Sequence, residues 1–286
     1  MTNSPLDEAV YAASKELRGR GAPDPEVLFF MGTGLGLLPA SLAATWSLSL
    51  EGISGVPAAW RGATLVAGEA AGATFWFLED SPGELSRSGN PRDEPAWARS
   101  FPVWLAACSG ATICVYTSAG RRLAGAAKSP LAPLALGKDH INLSGETPLL
   151  ALGESRLGAL FPDQSTLHHE GLRRMAHGRA AAQGIETCEA VLACSAGPAM
   201  ETPAEAEFFA RAGAEVVVQD LAGPLIAAAH SGLAALSVVA LLDPQGESLV
   251  ESLLEGAEAL APALEELLVA LVPDLAVVAL ELREDF

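Results

Sequence analysis

Apolar residues recur at helical spacing in several parts of the chain. In residues 5–19, Leu6, Val10, Ala13 and Leu17 fall on one helix face, and the stretch ends among glycines. Similar spacing elsewhere, with a Thr-x-x-Glu capping box before one stretch, predicts further helices. These helices are expected at residues 97–107, 165–183, 202–213, 222–232 and 247–271.

Continuous apolar runs of strand length lie between the predicted helices. Residues 81–95 are polar and predict a loop, while residues 118–136 lack clear periodicity and predict an irregular, mobile segment. Because strands alternate with helices, we expect one α/β domain over residues 1–286, with a mixed, largely parallel sheet flanked by helices. The strands are expected at residues 26–31, 111–117, 189–196, 215–219 and 234–242, with two more joined through Gly72 within residues 63–80.

The charge of the chain excludes some classes of partner. Acidic residues number 35 and basic residues 17, which gives a net charge of −18. Such a field repels phosphate backbones and anionic lipid headgroups, so we expect neither nucleic acid nor a membrane as a partner. The same field opposes an anionic substrate, unless positive charge or backbone N–H groups are concentrated locally.

The cysteines and the first residues of the chain bear on its compartment. The four cysteines lie in apolar runs without a Cys-x-x-Cys pair, which indicates free buried thiols and no zinc site. Residues 1–21 lack the pattern of a signal peptide, and no apolar run reaches the length of a membrane span. We therefore expect a cytoplasmic protein.

Three motifs along the chain could carry chemistry. Gly32-Thr33-Gly34-Leu35-Gly36 directly follows a predicted strand, where backbone N–H groups can converge on an anion or the turn can be purely structural. The second motif is Lys138-Asp139-His140-Ile141-Asn142 with residues 145–149 (GETPL), and the third is residues 197–205 (GPAMETPAE).

These motifs, in this order, resemble those of the trimeric purine nucleoside phosphorylases. The resemblance includes residues 158–165 (GALFPDQS) and extends from about Val27 to Leu242. It implies an α/β fold, a homotrimer, and phosphate-dependent cleavage of a purine (2′-deoxy)ribonucleoside to the free base and (deoxy)ribose 1-phosphate. It implies no cofactor.

The resemblance also implies the positions of the site residues. Glu201 matches the catalytic glutamate that binds the purine ring, and Phe161 matches an aromatic residue that a neighbouring subunit adds to the ribose pocket. Thr33 and the backbone amide of Ala119 match phosphate contacts, while the positions of Ser118, Met200 and Gln219 match the nucleoside pocket. On the residues alone, Thr33 could end a strand, Phe161 could be a core residue, and Glu201 could cap a helix.

Several positions depart from the family pattern. Gly83, Leu85 and Arg87 stand where arginine, histidine and tyrosine are expected, so the main cationic phosphate ligand is absent. Asp220 replaces the phosphate-binding serine, and two like charges ~4 Å apart at an effective dielectric constant of ~20 repel by about 4 kcal/mol. Leu241 replaces the asparagine that would stabilise the leaving base, with Asp243 two residues later. The cations that could restore phosphate binding are Arg61, Arg87, Arg121 and Arg122.

Three functions remain open on these residues. One is an active phosphorylase with a remodelled site, and a second is a non-catalytic relative that binds a nucleoside, a base or a protein. A third is cleavage by water or action on a cationic nucleoside. A metal enzyme is not expected, because His168, His169 and His177 on one predicted helix lack the i, i+4 spacing of a zinc-binding helix.

Overall fold

A computed structural model describes residues 4–32, 35, 38–42, 44–79, 94–125, 131–242 and 249–284. Within these ranges, one mixed sheet is flanked by helices, which confirms the predicted α/β fold. The strands are Val27–Met31 (β1), Ala44–Ser49 (β2), Thr64–Ala70 (β3), Ala73–Glu79 (β4), Ile113–Arg122 (β5), Leu134–Asn142 (β6), Thr187–Ser195 (β7), Val216–Gln219 (β8) and Ala234–Leu242 (β9). The helices are Pro5–Gly19 (α1), Leu38–Ser41 (α2), Phe101–Ser109 (α3), Glu170–Ala182 (α4), Pro203–Arg211 (α5), Ala222–Ser231 (α6) and Leu249–Glu284 (α7).

Strand β5 joins the two halves of the sheet. Its whole length pairs in parallel with β9, from Ile113 opposite Ala234 to Arg121 opposite Leu242. Its other edge is divided, because β1 pairs in parallel with the first half and β8 pairs antiparallel with residues 120–122. Strands β7 and β6 continue from β8 and return to β9, so β5 to β9 form a closed ring.

Alternating residues of the strands pack on opposite faces of the sheet. On one face, Leu28, Cys114 and Tyr116 contact the apolar sides of α1, α3 and α6. On the other face, Phe29 and Val115 lie in a second cluster with the apolar sides of α4 and α7. The sheet is therefore the middle layer of three. No helix in the described ranges combines the length and the apolarity needed to cross a bilayer.

The structure corrects the expected boundaries around the candidate motifs. The predicted irregular segment at residues 118–136 is wrong at both ends, because β5 continues to Arg122 and β6 begins at Leu134. Small residues such as Ser118 and Gly120 give no strand pattern, and the strand is held instead by pairing with β9. The C-terminal helix extends beyond the predicted end at residue 271, to Glu284.

Helix α4 begins later than its apolar pattern predicts. Its first residue is Glu170, because the Nδ1 atom of His169 accepts a hydrogen bond from the amide of Leu172 at 3.2 Å and caps the helix. His168 is therefore outside the helix, in an extended bridge beside Ala235. Of the three histidines expected on one helix, only His177 lies within it.

We expect His230 to make the protein less stable in mild acid. The indole Nε1 of Trp104 donates to Nδ1 of the buried His230 at 3.0 Å, so that nitrogen must carry a lone pair. Burial lowers the pKa of His230, opposed by the charge of Asp7. As the pH falls, His230 is therefore protonated in the unfolded chain before it is protonated in the folded protein. The free energy of unfolding decreases as a result, beginning at about pH 6.5.

Urea denaturation of the wild type and His230→Asn between pH 8 and pH 5 measures this effect. The asparagine oxygen can accept the indole hydrogen bond but does not titrate. We expect the free energy of unfolding to fall less steeply with pH in the variant. Equal slopes would contradict the role given to His230.

Candidate functional site

The divided edge of β5 leaves a short stretch of strand without a neighbouring strand. At the end of the β1 pairing, the amide of Gly32 donates to the carbonyl of Thr117 at 3.1 Å and to its Oγ1 at 2.9 Å. The pairing with β8 begins at Gly120, so no described strand pairs with residues 117–119 on this edge. We call residues 117–119 the β5 opening. Ligand sites in α/β proteins commonly form where strands separate in this way.

The β5 opening contains two predicted site residues. Ser118 is half-buried, and its hydroxyl donates to the carbonyl of Ala119 at 3.1 Å. Ala119 is exposed, as an amide that contacts phosphate must be. Gly32 brings the end of β1 against this strand, but Thr33 and the glycines at 34 and 36 lie outside the described residues, as do Arg87 and Asp243.

An ion pair between Arg121 and Glu201 is the main contact of the site. The Nε of Arg121 donates to Oε1 of Glu201 at 2.6 Å, and its Nη2 donates to the same oxygen. The Glu201 side chain is only 2 % exposed, whereas that of Arg121 is 30 % exposed. An isolated buried carboxylate costs several kcal/mol, and the guanidinium of Arg121 supplies the compensating positive charge.

One oxygen of Glu201 is left for another partner. Oε2 is buried and has no hydrogen-bond partner among the described residues. Helix α5 starts directly afterwards, but its cap is Thr202, whose hydroxyl accepts from the amide of Glu205. Glu201 therefore does not cap the helix. In its carboxylate, Oε1 binds Arg121, and Oε2 can accept a hydrogen bond from a ligand.

The strand register brings Arg121 to this position. Gly120 lies where β5, β8 and β9 meet, and a Cβ atom there would come within 2.6 Å of Val239 and 2.7 Å of Val216. Leu241, which stands at the expected asparagine position, pairs with Gly120 across the β5–β9 ladder and is buried. The apolar side chain of Leu241 thus stands where the family has an asparagine that donates a hydrogen bond. Its partner in the ladder, Gly120, directly precedes Arg121.

The ends of β7 and β8 bring further predicted residues together. The amide nitrogen of the Gln219 side chain donates to the carbonyl of Ala199 at 3.0 Å and lies 3.5 Å from the sulfur of Met200. These contacts hold the segment before Glu201 against the end of β8. Gln219 therefore forms one group with Met200 and Glu201, although it lies outside their motif.

Asp220 has a left-handed backbone conformation and an arginine neighbour. Its φ is 56°, which is costly for most residues but tolerated by aspartate. Its carboxylate accepts from the amide of Gly197 at 3.3 Å and lies 3.9 Å from Nη1 of Arg99. Arg99 thus offsets part of the negative charge at this position. Sequence reasoning missed Arg99, because it is distant in the chain and belongs to no motif.

The other candidate cations have different surroundings. Arg61 is exposed, and its side chain makes no hydrogen bond or ion pair with another described residue. The guanidinium of Arg122 points away from Arg121 and contacts the carbonyl oxygens of Leu241, Ala132 and Leu131 at 3.2–3.4 Å. The predicted cations are therefore not gathered into one cluster within the described ranges.

Phe161 is on the surface and is 88 % exposed, so it is not a core residue of this chain.

Gly158, the first residue of the motif that contains Phe161, has a packing role. A Cβ atom on Gly158 would lie 1.5 Å from the carbonyl oxygen of His230, so only glycine permits this approach. The motif thus fixes a loop against α6 and presents Phe161 to solvent.

Comparison with known proteins identifies the family. A family model described as the phosphorylase superfamily matches residues 124–273, more than half of the chain. The chain belongs to the phosphorylase superfamily. The matched part of this phosphorylase-superfamily chain includes β6 to β9, Glu201 and most of α7.

Individual relatives connect this phosphorylase-superfamily chain with purine nucleoside phosphorylases. It is 28 % identical over 236 residues to purine nucleoside phosphorylase 1 of Geobacillus stearothermophilus, which covers 80 % of this chain and 82 % of the relative. It is also 28 % identical to purine nucleoside phosphorylase of Rattus norvegicus, over 82 % of this chain and 81 % of that one. The predicted family relationship is confirmed.

A solved structure shows the same fold. A purine nucleoside phosphorylase from Schistosoma, crystallised with hypoxanthine, superposes with a TM-score of 0.77. The alignment covers 95 % of this chain and 99 % of the other, at 21 % sequence identity. At this identity the agreement concerns the fold rather than the individual site residues.

We expect Arg121 and Glu201 to depend on each other for stability. Removing the guanidinium with Arg121→Met leaves the buried carboxylate without its partner and should lower the free energy of unfolding by about 2 kcal/mol, allowing for the partial exposure of Arg121. The double variant Arg121→Met/Glu201→Gln should lose less than the sum of the single variants.

Urea denaturation of the four proteins measures the interaction energy, and the exposed pair Arg18–Asp24 is the matched control. We expect about 1 kcal/mol or more for Arg121–Glu201 and less for the control pair. An interaction energy no larger than that of the control would contradict the buried pairing.

Proposed function

We propose that this chain catalyses phosphorolysis of a purine (2′-deoxy)ribonucleoside, releasing the free base and (deoxy)ribose 1-phosphate. The observation that carries the proposal is the buried carboxylate of Glu201, held by Arg121 with Oε2 open. The proposed reaction agrees with the names of the relatives, which are purine nucleoside phosphorylases. The proposal includes a role in purine salvage and a cytoplasmic location.

The ion pair leaves one acceptor for a ligand. Oε2 of Glu201 can accept a hydrogen bond, because it has no partner among the described residues. A 6-oxopurine offers N1–H as a donor to that oxygen. The Schistosoma relative was crystallised with hypoxanthine, which is a 6-oxopurine. We therefore propose inosine and guanosine, or their 2′-deoxy forms, as the substrate class.

In this reaction a phosphate oxygen bonds to C1′ while the bond from C1′ to N9 breaks. The bonding electron pair passes into the purine ring, which then takes up a proton. A donor near O6 and N7 stabilises that charge, but Leu241 has no donor to offer. Arg121 is adjacent in register and already bound to Glu201, so we propose that its guanidinium takes this role.

Phosphate would bind at the β5 opening. The amide of Ala119, the hydroxyl of Thr33 and the guanidinium of Arg61 remain the proposed ligands, in line with the family resemblance. Arg121 was a further candidate from sequence, but its contact with Glu201 favours the purine side. Arg99 supports the assignment indirectly, because its charge reduces the repulsion between Asp220 and an incoming anion.

A homotrimer would complete the ribose pocket. Phe161 is almost fully exposed in the single chain, together with its neighbour Leu160, which is 48 % exposed. Insertion of Phe161 into the ribose pocket of a second subunit would remove this apolar surface from water. The nucleoside would then be bounded by Ser118, Met200 and Gln219 of one subunit and by Phe161 of its neighbour.

Release of hypoxanthine from inosine and of guanine from guanosine tests the proposed reaction. We expect turnover with phosphate and none without it, and a loss of at least about 100-fold in kcat/KM for Glu201→Ala. Glu207→Ala is the matched control, because Glu207 is an exposed residue of α5 that pairs only with Arg211. No turnover by folded wild type would contradict the proposal and favour the nucleoside-, base- or protein-binding role. Turnover without phosphate would indicate hydrolysis.

A second measurement separates the possible roles of Arg121. With inosine, Arg121→Ala should lower kcat by about 100-fold or more, because the leaving base gains negative charge. With 7-methylguanosine the base leaves without net negative charge, so the loss should be below about tenfold. Equal losses on both substrates would contradict a leaving-group role. A raised KM for phosphate with both nucleosides would instead support the phosphate role.

A further inference from the structure

Three potential metal ligands meet outside the proposed nucleoside site. They are Asp139 and His140 on β6 and His168 just before α4, and one ligand atom from each lies within 4.8 Å of the other two. The Nδ1 of His140 and the Nε2 of His168 are 3.0 Å apart. Sequence spacing did not suggest this group, because it placed His168 on a helix with His169 and His177.

The backbone holds these side chains in place. An irregularity in the pairing of β6 with β7 lies between Gly137 and Asp139, next to His140. His168 is fixed by its bridge to Ala235, since the amide of His169 donates to the carbonyl of Ala235 at 3.1 Å. Arg173 also donates to the carbonyl of His168. The two imidazoles are therefore positioned by a strand and a clamped extended segment.

Both imidazoles are suited to act as ligands at neutral pH. The Nδ1 of His140 and the Nε2 of His168 face each other, and a neutral imidazole carries one nitrogen lone pair that a metal ion can bind. The carboxylate of Asp139 is exposed and supplies negative charge on the solvent side.

The separation of the two imidazole nitrogens agrees with a small transition-metal ion. Two imidazole nitrogens bound to Zn²⁺ at ~2.05 Å with a tetrahedral angle lie about 3.3 Å apart, close to the separation in this structure. Two imidazoles and one carboxylate are a known ligand set for Zn²⁺, with water in the fourth position. A hydrogen bond between the two rings would also explain the short separation. Oδ1 of Asp139 accepts from the amide of His140 at 2.7 Å, which leaves its second oxygen for an ion.

The second ring nitrogen of His168 faces the backbone of Gly137. Nδ1 is buried, and a Cβ atom on Gly137 would lie 3.5 Å from it. Its polar neighbour is the backbone of Gly137, which lies outside regular hydrogen-bond geometry. A metal on Nε2 would fix the proton on Nδ1, and this backbone would be the group that accepts it.

We propose that Asp139, His140 and His168 bind one Zn²⁺ ion per chain, with the backbone of Gly137 orienting His168. The ion would link β6 to the segment before α4 and leave at least one coordination position open to water. The ligands differ from the residues proposed for phosphorolysis, so the site can exist whether or not that reaction occurs.

Isothermal titration with ZnCl₂ on the full chain, without an affinity tag, tests the site. We expect one ion per chain and a Zn²⁺-dependent rise in melting temperature. Asp139→Asn should weaken binding by at least about tenfold, with a larger loss for His168→Gln. His177→Gln is the matched control and should bind as the wild type does, because His177 is a half-buried histidine that contacts Thr187 instead.

The absorption spectrum of bound Co²⁺ reports the geometry independently of stability, and we expect a four-coordinate spectrum that Asp139→Asn alters. Asp139 is exposed, so this variant remains informative even if His168→Gln does not fold. Binding of several ions that none of these variants changes would overturn the proposal, and so would no binding at all. In either case the two histidines would share only a hydrogen bond.

Discussion

The rest of the structure depends on the division of one edge of β5 between β1 and β8. A strand that keeps the same partner along its full edge leaves no backbone group for a ligand. Here β9 stabilises β5 on one side, while the change of partner on the other side exposes Ser118 and Ala119. The same change of partner closes the strand ring and brings the ends of β7 and β8 to Arg121.

The sequence indicated the fold and family because local signals agreed. Apolar periodicity and the capping box at Thr202 predict the core elements, and the motif around Glu201 makes this residue a candidate. The pairing of Arg121 with Glu201 is different, since 80 residues separate them and no periodicity relates the two. From sequence, Arg121 is a candidate phosphate ligand, because positive charge is scarce in this acidic chain. In the structure it binds Glu201 instead, because the buried carboxylate needs a positive partner.

The histidines illustrate a second limit of sequence reasoning. His169 ends the helix pattern by accepting a backbone hydrogen bond, a role more common for serine, threonine or aspartate. Propensity therefore extended the helix too far and placed His168 on the wrong surface. Its approach to His140 follows from the pairing of β6 and β9 and from the bridge to Ala235, which are long-range contacts. The residues next to His168 in the sequence do not indicate these contacts.

The opposite directions of Arg121 and Arg122 make the function sensitive to insertions and deletions in β5. Because side chains alternate along a strand, one residue added before Arg121 moves Arg121 to the position of Arg122, beside the carbonyl oxygens of Ala132 and Leu241. Glu201 then loses its partner. One residue removed there moves Arg122 to the position opposite Glu201 but moves Arg121 to the position of Gly120, where the neighbouring valines leave no room for a side chain. Length variation among homologues should therefore be rarer here than in the surrounding loops.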